Sequence, residues 1–117
     1  MKFKFEKLLI WQRAMELGEK VNNMVELFPE KEKFNLSSQF LRAIDSVALN
    51  ISEGSIGQSN AEFKKFIGYA IRSLAESVTC LFKAEKRNYI SKNEFEVVYS
   101  ECFDLMNMMT AFKNKIN

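Results

Sequence analysis

Few residues in this chain could do chemistry, and their spacing says more than their number. Glu53 and Glu76 fall on successive helical segments, where a facing pair of carboxylates could hold a metal or share acid and base roles. The chain has no histidine, so the Glu-x-x-His ligand pattern of metal-binding bundles cannot form. A salt bridge is the plainer reading of either acid. The one glycine-rich stretch, Gly54-Ser55-Ile56-Gly57-Gln58-Ser59, precedes a helix as phosphate loops do. It lacks the G-x-x-x-x-G-K-[ST] pattern, and Ser59 is placed to cap the next helix itself. Cys80 and Cys102 make no C-x-x-C pair and fall at apolar helical positions. That predicts buried free thiols acting as small hydrophobes in a reducing cytoplasm. No catalytic, cofactor or metal site is expected, and the chain is read as a non-enzyme.

Two patterns suited to binding stand beside these. Arg42, Ser46, Asn50 and Glu53 step by four, four and three residues, which lays them along one polar strip of a helix. Together with Gln39 and Glu76 they are expected to form a structural polar network or a subunit interface; a binding strip or a solvated face are the alternatives. Glu53 lies in the last turn, against the negative end of the helix dipole. Arg42, Arg72 or a neighbouring subunit would relieve that conflict, and Glu53→Ala should then lower the melting temperature. Basic side chains gather at Lys64, Lys65 and Arg72, at Lys83, Lys86 and Arg87, and at Lys2, Lys4 and Lys7. Basic patches hold phosphate backbones by releasing counterions. Glu62, Glu76 and Glu85 are interleaved, so solvated faces are the default. Arg42, Lys64, Lys65 and Arg72 are the expected contacts if nucleic acid is bound.

The elements that position these residues are helices. Trp11, Ala14, Gly18, Val21, Val25 and Phe28 recur at spacings of three and four, which predicts a helix over about Lys7 to Phe28, ended by Pro29. Gly18 in that seam is expected to admit another backbone closely. Phe40, Ile44, Val47 and Ile51 mark a second helix from Leu36 to Glu53, with Gly54 as its C-cap. Ser59 with Glu62, and Ser91 with Glu94, are spaced as capping boxes that open a third and a fourth helix. The third carries a wide apolar face from Phe63 to Phe82, and the fourth one from Phe95 to Ile116. Helices of roughly 18 to 28 residues joined by short loops run antiparallel to their sequence neighbours. The fold class is therefore all-α, an antiparallel up-down-up-down four-helix bundle in a single domain, residues 1–117.

Composition agrees. The 117 residues include four glycines and one proline, so turns are few. The 17 basic and 15 acidic side chains nearly cancel, which demands neither a nucleic-acid nor a membrane partner. The charged stretch from Met1 to Glu6 has no apolar core, so no secretory signal is expected there, and no apolar run approaches a membrane span. Phe3, Phe5 and Trp11 exceed what one small bundle needs inside, which points to a subunit interface.

The run from Gln39 to Gly54, QFLRAIDSVALNISEG, with its Asn50-Ile51-Ser52-Glu53-Gly54 element, carries a family resemblance. So do Leu9-Ile10-Trp11-Gln12-Arg13-Ala14, Phe28-Pro29, Glu62-Phe63, Ala70 and Ser73-Leu74-Ala75-Glu76. From about Phe3 to Ile116 the chain resembles the four-helix-bundle proteins encoded in intervening sequences of bacterial 23S ribosomal RNA genes. The resemblance implies a ring-shaped homopentamer. A related branch, the accessory proteins of diversity-generating retroelements, implies contact with nucleic acid and a protein partner. The chain departs from the pattern at Gln58, where a basic residue is expected, and at Arg72, where a glycine is common; together they shift the basic surface from the loop to the third helix. The expectation is a cytoplasmic, non-enzymatic homo-oligomer acting as an RNA-associated adaptor. The alternative is a protein–protein scaffold without nucleic-acid affinity.

Overall fold

Each apolar seam buries one side of its helix, and the four seams close on one core. A computed structural model describes all residues, Met1–Asn117. It contains α1 (Leu9–Val25), α2 (Leu36–Ser55), α3 (Asn60–Lys86) and α4 (Lys92–Lys115), with short 3-10 turns at Lys4–Lys7 and Glu30–Glu32. Each helix packs on its sequence neighbour and α4 returns to α1, as an antiparallel four-helix bundle requires. Leu17 and Val21 of α1, Ile44 and Ile51 of α2, Ile67 and Leu74 of α3, and Leu105 and Met109 of α4 are all but inaccessible to water. Burying each such side chain stabilises the fold by about 1.5–3 kcal/mol. No helix is long and apolar enough to cross a membrane.

Neither Gly18 nor Gly54 takes its expected part. Gly54 is no C-cap: α2 runs on through Ser55, and no glycine in the chain has a positive φ. It is instead a point of close approach between α2 and α3. A Cβ there would lie 2.6 Å from the Cβ of Phe66 and 3.0 Å from the ring of Phe63 on α3. At Gly18, where close approach was expected, a Cβ would meet only Asp45 Oδ1, at 3.8 Å. Helix α1 also stops at Val25, short of Pro29, and Phe28 closes a tighter turn by donating to the Val25 carbonyl.

Local capping explains the other ends. Ser91 and Glu94 form the reciprocal box that opens α4. At α3 only half of the box forms: Ser59 Oγ accepts from the Glu62 N–H at 3.1 Å, while the Glu62 carboxylate reaches past Ser59 to the Gln58 N–H. Helix α3 ends at Lys86, and Asn88, just beyond it, is held at φ 61°. The Tyr89 N–H then bonds the Ala84 carbonyl and the Asn88 N–H that of Glu85, which reverses the chain sharply. This reversal places Arg87 and Tyr89 at the end of the bundle.

Candidate functional site

On the polar strip of α2 the structure joins Ser46 and Asn50 and adds a partner from α3. Asn50 Nδ2 donates to the Ser46 carbonyl at 2.8 Å and to its Oγ at 2.9 Å, and the Ser73 hydroxyl donates to Ser46 Oγ at 3.0 Å. All three residues are half-buried at the α2–α3 seam. Ser73 gave no signal as part of this strip, because one serine at the edge of an apolar face has no periodicity of its own. Arg42 turns back along α2 to Ser38 Oγ at 3.2 Å. Gln39, Glu53 and Glu76 are exposed, and neither ion pair of the chain includes them.

The two acids do not converge. Helices α2 and α3 are antiparallel and meet at Ser46 and Ser73. Glu53 lies beyond Ser46 and Glu76 beyond Ser73, so they sit on opposite sides of that contact. At 1.5 Å per residue they are roughly 15 Å apart along the axis. No three acidic or thiol side chains gather as a metal site would need.

The basic residues divide by the same geometry. Lys65, Tyr69 and Arg72 follow one another at spacings of four and three on the exposed side of α3, with Lys64 beside them. Lys65 Nζ stands 5.9 Å from the centroid of the Tyr69 ring, and that ring packs edge-on against Phe66 at 5.5 Å. Glu62, expected to dilute this patch, is engaged by the Gln58 N–H. None of Lys64, Lys65 and Arg72 is in an ion pair. Arg42 lies apart, on the other side of the Ser46–Ser73 contact, roughly 18 Å along the axis from Lys65. Two basic residues join the Lys65 end of α3 instead. Lys4 Nζ lies 5.5 Å from the Phe63 ring, and Lys113 Nζ lies 3.4 Å from where a Cβ of Gly68 would be. They come from opposite ends of the chain, and nothing in a linear pattern brings them together.

The most fully bonded charge lies in the charged link between α1 and α2. Glu32 is buried, and its Oε2 accepts from the Tyr89 hydroxyl at 2.6 Å and from Arg87 Nη1 at 2.9 Å. Its Oε1 accepts from Asn35 Nδ2 at 3.2 Å and from the Leu36 N–H at 3.4 Å. The Asn35 side chain makes no cap bond, so Glu32 serves a free N–H of α2. The Tyr89 hydrogen bond, ahead of the Leu36 N–H and the Arg87 charge, holds the Glu32 carboxyl below its usual range against the opposing pull of burial. The same bond pushes the Tyr89 phenol up. The cluster ties the α1–α2 link to the α3–α4 turn, a structural task.

A last surface feature is aromatic. Phe95, Tyr99 and Phe103 stack along α4, with centroids 5.6 Å and 6.4 Å apart, and Phe82 of α3 meets Phe95 edge-on at 4.9 Å. Phe82, Tyr99 and Phe103 are exposed.

A crystal structure from Bacteroides thetaiotaomicron, of a protein with unknown function from the S23 ribosomal protein family, is similar at TM-score 0.83. The likeness covers 90% of this chain and 98% of that one at 22% identity, which shows a shared fold. No curated protein matches the chain. The sequence profile of the family described as 23S rRNA-intervening sequence protein matches residues 6–111, from the first turn into the last turns of α4. The chain therefore belongs to the 23S rRNA-intervening sequence protein family.

Proposed function

We propose that this chain is a non-enzymatic, homo-oligomeric adaptor that holds RNA on the Lys65–Tyr69–Arg72 face of α3. The observation that carries the reading is the exposed Lys65 ammonium beside the Tyr69 ring, with Arg72 a turn further and neither of these two cations in an ion pair. Lysine and arginine neutralise phosphates, and an exposed aromatic ring offers a stacking surface for an unpaired base. Lys64, Lys4 and Lys113 extend the positive surface at that end of the bundle. The sequence resemblance to intervening-sequence proteins and retroelement accessory proteins supports the homopentamer and the nucleic-acid partner. Repetition of a modest site around an oligomer would raise its avidity. The two free, buried cysteines suit a reducing cytoplasm.

The test is binding of the purified protein to structured RNA across a salt series, with mass read by light scattering in the same samples. Affinity should fall steeply with salt, and each lost phosphate contact should make the slope shallower by about one. Lys65→Glu with Arg72→Glu should abolish binding, and Tyr69→Ala should weaken it with little change in slope. No binding at low salt would remove the RNA reading. The second reading, a protein–protein scaffold without nucleic-acid affinity, would then stand on the exposed aromatic ladder of Phe82, Tyr99 and Phe103.

A further inference from the structure

The α1–α2 face carries a cleft of about 400 Å³. Phe5, Trp11, Met15 and Leu49 line it together with two carboxylates, Glu19 and Asp45, and no basic residue. Neither carboxylate is in an ion pair. Gly18 leaves the Asp45 carboxylate open from the α1 side, its Oδ1 being the only atom a Cβ there would meet. Burial, and then the Glu19 charge, push the Asp45 carboxyl above its usual range. The cleft is thus apolar, aromatic and acidic, and it lacks a cation.

The complementary chemistry stands on the same chain. Phe34, in the α1–α2 link, is 88% exposed. Lys33 Nζ sits 5.5 Å from its ring centroid, and Lys31 is close by in sequence. An aromatic ring carried beside an ammonium fits an apolar cleft that holds two carboxylates. Phe34 cannot fill the cleft of its own chain. It precedes α2, and the α2 residues of the cleft, Ile44 to Ser52, lie roughly 15–27 Å further along a rigid helix.

We infer that the Lys33–Phe34 corner of one copy inserts into the Trp11–Asp45 cleft of the next, with the ring against Trp11, Met15 and Leu49 and the ammonium facing Asp45 and Glu19. The inference rests on the oligomeric reading above and supplies its contact. Every copy offers one corner and one cleft, so the contact is heterologous and repeats from copy to copy.

The test uses the full chain and its sedimentation mass. The wild type should exceed the monomer mass of 13.6 kDa severalfold. Phe34→Ser, which removes the corner, and Asp45→Lys, which blocks the cleft, should each give monomers with unchanged helical circular dichroism. Leu49→Lys replaces Asp45→Lys if that variant fails to fold. Mixing the two monomeric variants should yield a two-chain species and nothing larger, since one intact corner then meets one intact cleft. A wild-type oligomer that both variants leave intact overturns this contact and keeps the oligomeric reading. Monomeric variants that do not pair on mixing also overturn it. A wild type that stays monomeric at high concentration overturns both and leaves the cleft to a basic segment of a different protein.

Discussion

The Tyr89 hydroxyl donates a 2.6 Å hydrogen bond to Glu32 Oε2, joining the turn between α3 and α4 to the link between α1 and α2. Its consequence is a pH-dependent clasp. Because the folded-state Glu32 carboxyl titrates below its usual range, its contribution is present above the unfolded value and is lost as pH falls through the folded one. Tyr89, pushed upward, contributes below the unfolded phenol value and loses that contribution as pH rises through the folded one. Glu32→Gln should lower the Tm by several degrees at neutral pH, and the difference from wild type should shrink below about pH 4. A difference that persists undiminished at pH 3 would show that the carboxylate charge is not its source.

Alanine at the two seam glycines should act in opposite directions. Gly54→Ala must push its Cβ against the Cβ of Phe66, an atom fixed to the α3 backbone. Overpacking of this kind costs about 1–3 kcal/mol, more than the helix propensity gained. Gly18→Ala meets only an ordinary contact with Asp45 and should stabilise by about 0.5–1 kcal/mol. Denaturant midpoints of the two variants settle this, and equal signs would refute the assignment of Gly54 as the close-approach point.

The Ser46–Asn50–Ser73 network should behave as a coupled unit. Asn50→Ala and Ser73→Ala should each cost about 1 kcal/mol, and the double variant should depart from their sum by about 0.5 kcal/mol or more. Glu53→Ala, further along the same strip, has no ion-pair partner within its chain, so its effect on the isolated monomer should stay within about 0.5 kcal/mol. A drop in Tm seen only where the chain is oligomeric would place Glu53 in the subunit contact.

The two thiols should be inert while the bundle is folded. Burial, with a smaller contribution from Glu101, pushes Cys102 up to about 12, and burial followed by Glu76 pushes Cys80 upward. The thiolate is the reactive form. At neutral pH both should titrate with an aromatic disulfide only in denaturant, and native labelling should proceed no faster than unfolding. Rapid labelling of either one in buffer would contradict its buried place.

The helices and the core were legible in the sequence because spacings of three and four leave little freedom. Val21, Ile44, Leu74 and Leu105 fall on predicted faces and are buried. Gly18 reads as the seam glycine and Gly54 as a C-cap, yet it is Gly54 that admits a neighbouring helix, because interhelical distance is not encoded in periodicity. Glu32 was invisible for a different reason. A glutamate among Glu30, Lys31 and Lys33 reads as part of a charged link, and only the reversal at Asn88 brings Tyr89 and Arg87 over it. Of the expected basic contacts, Lys64, Lys65 and Arg72 share one helix and stay together, whereas Arg42 is carried off by the antiparallel course of α2.

The crossing at Gly54 and the serine bridge between Ser46 and Ser73 make α2 and α3 the most intimately joined pair, linked by the shortest path of chain. Contacts between neighbours in sequence cost little loop entropy to form. This hairpin is therefore the natural first-formed unit of the fold, onto which the outer helices dock. In hydrogen exchange its central amides should be the last to open, while those of α4, whose terminal turns are exposed, fray at much lower free energy.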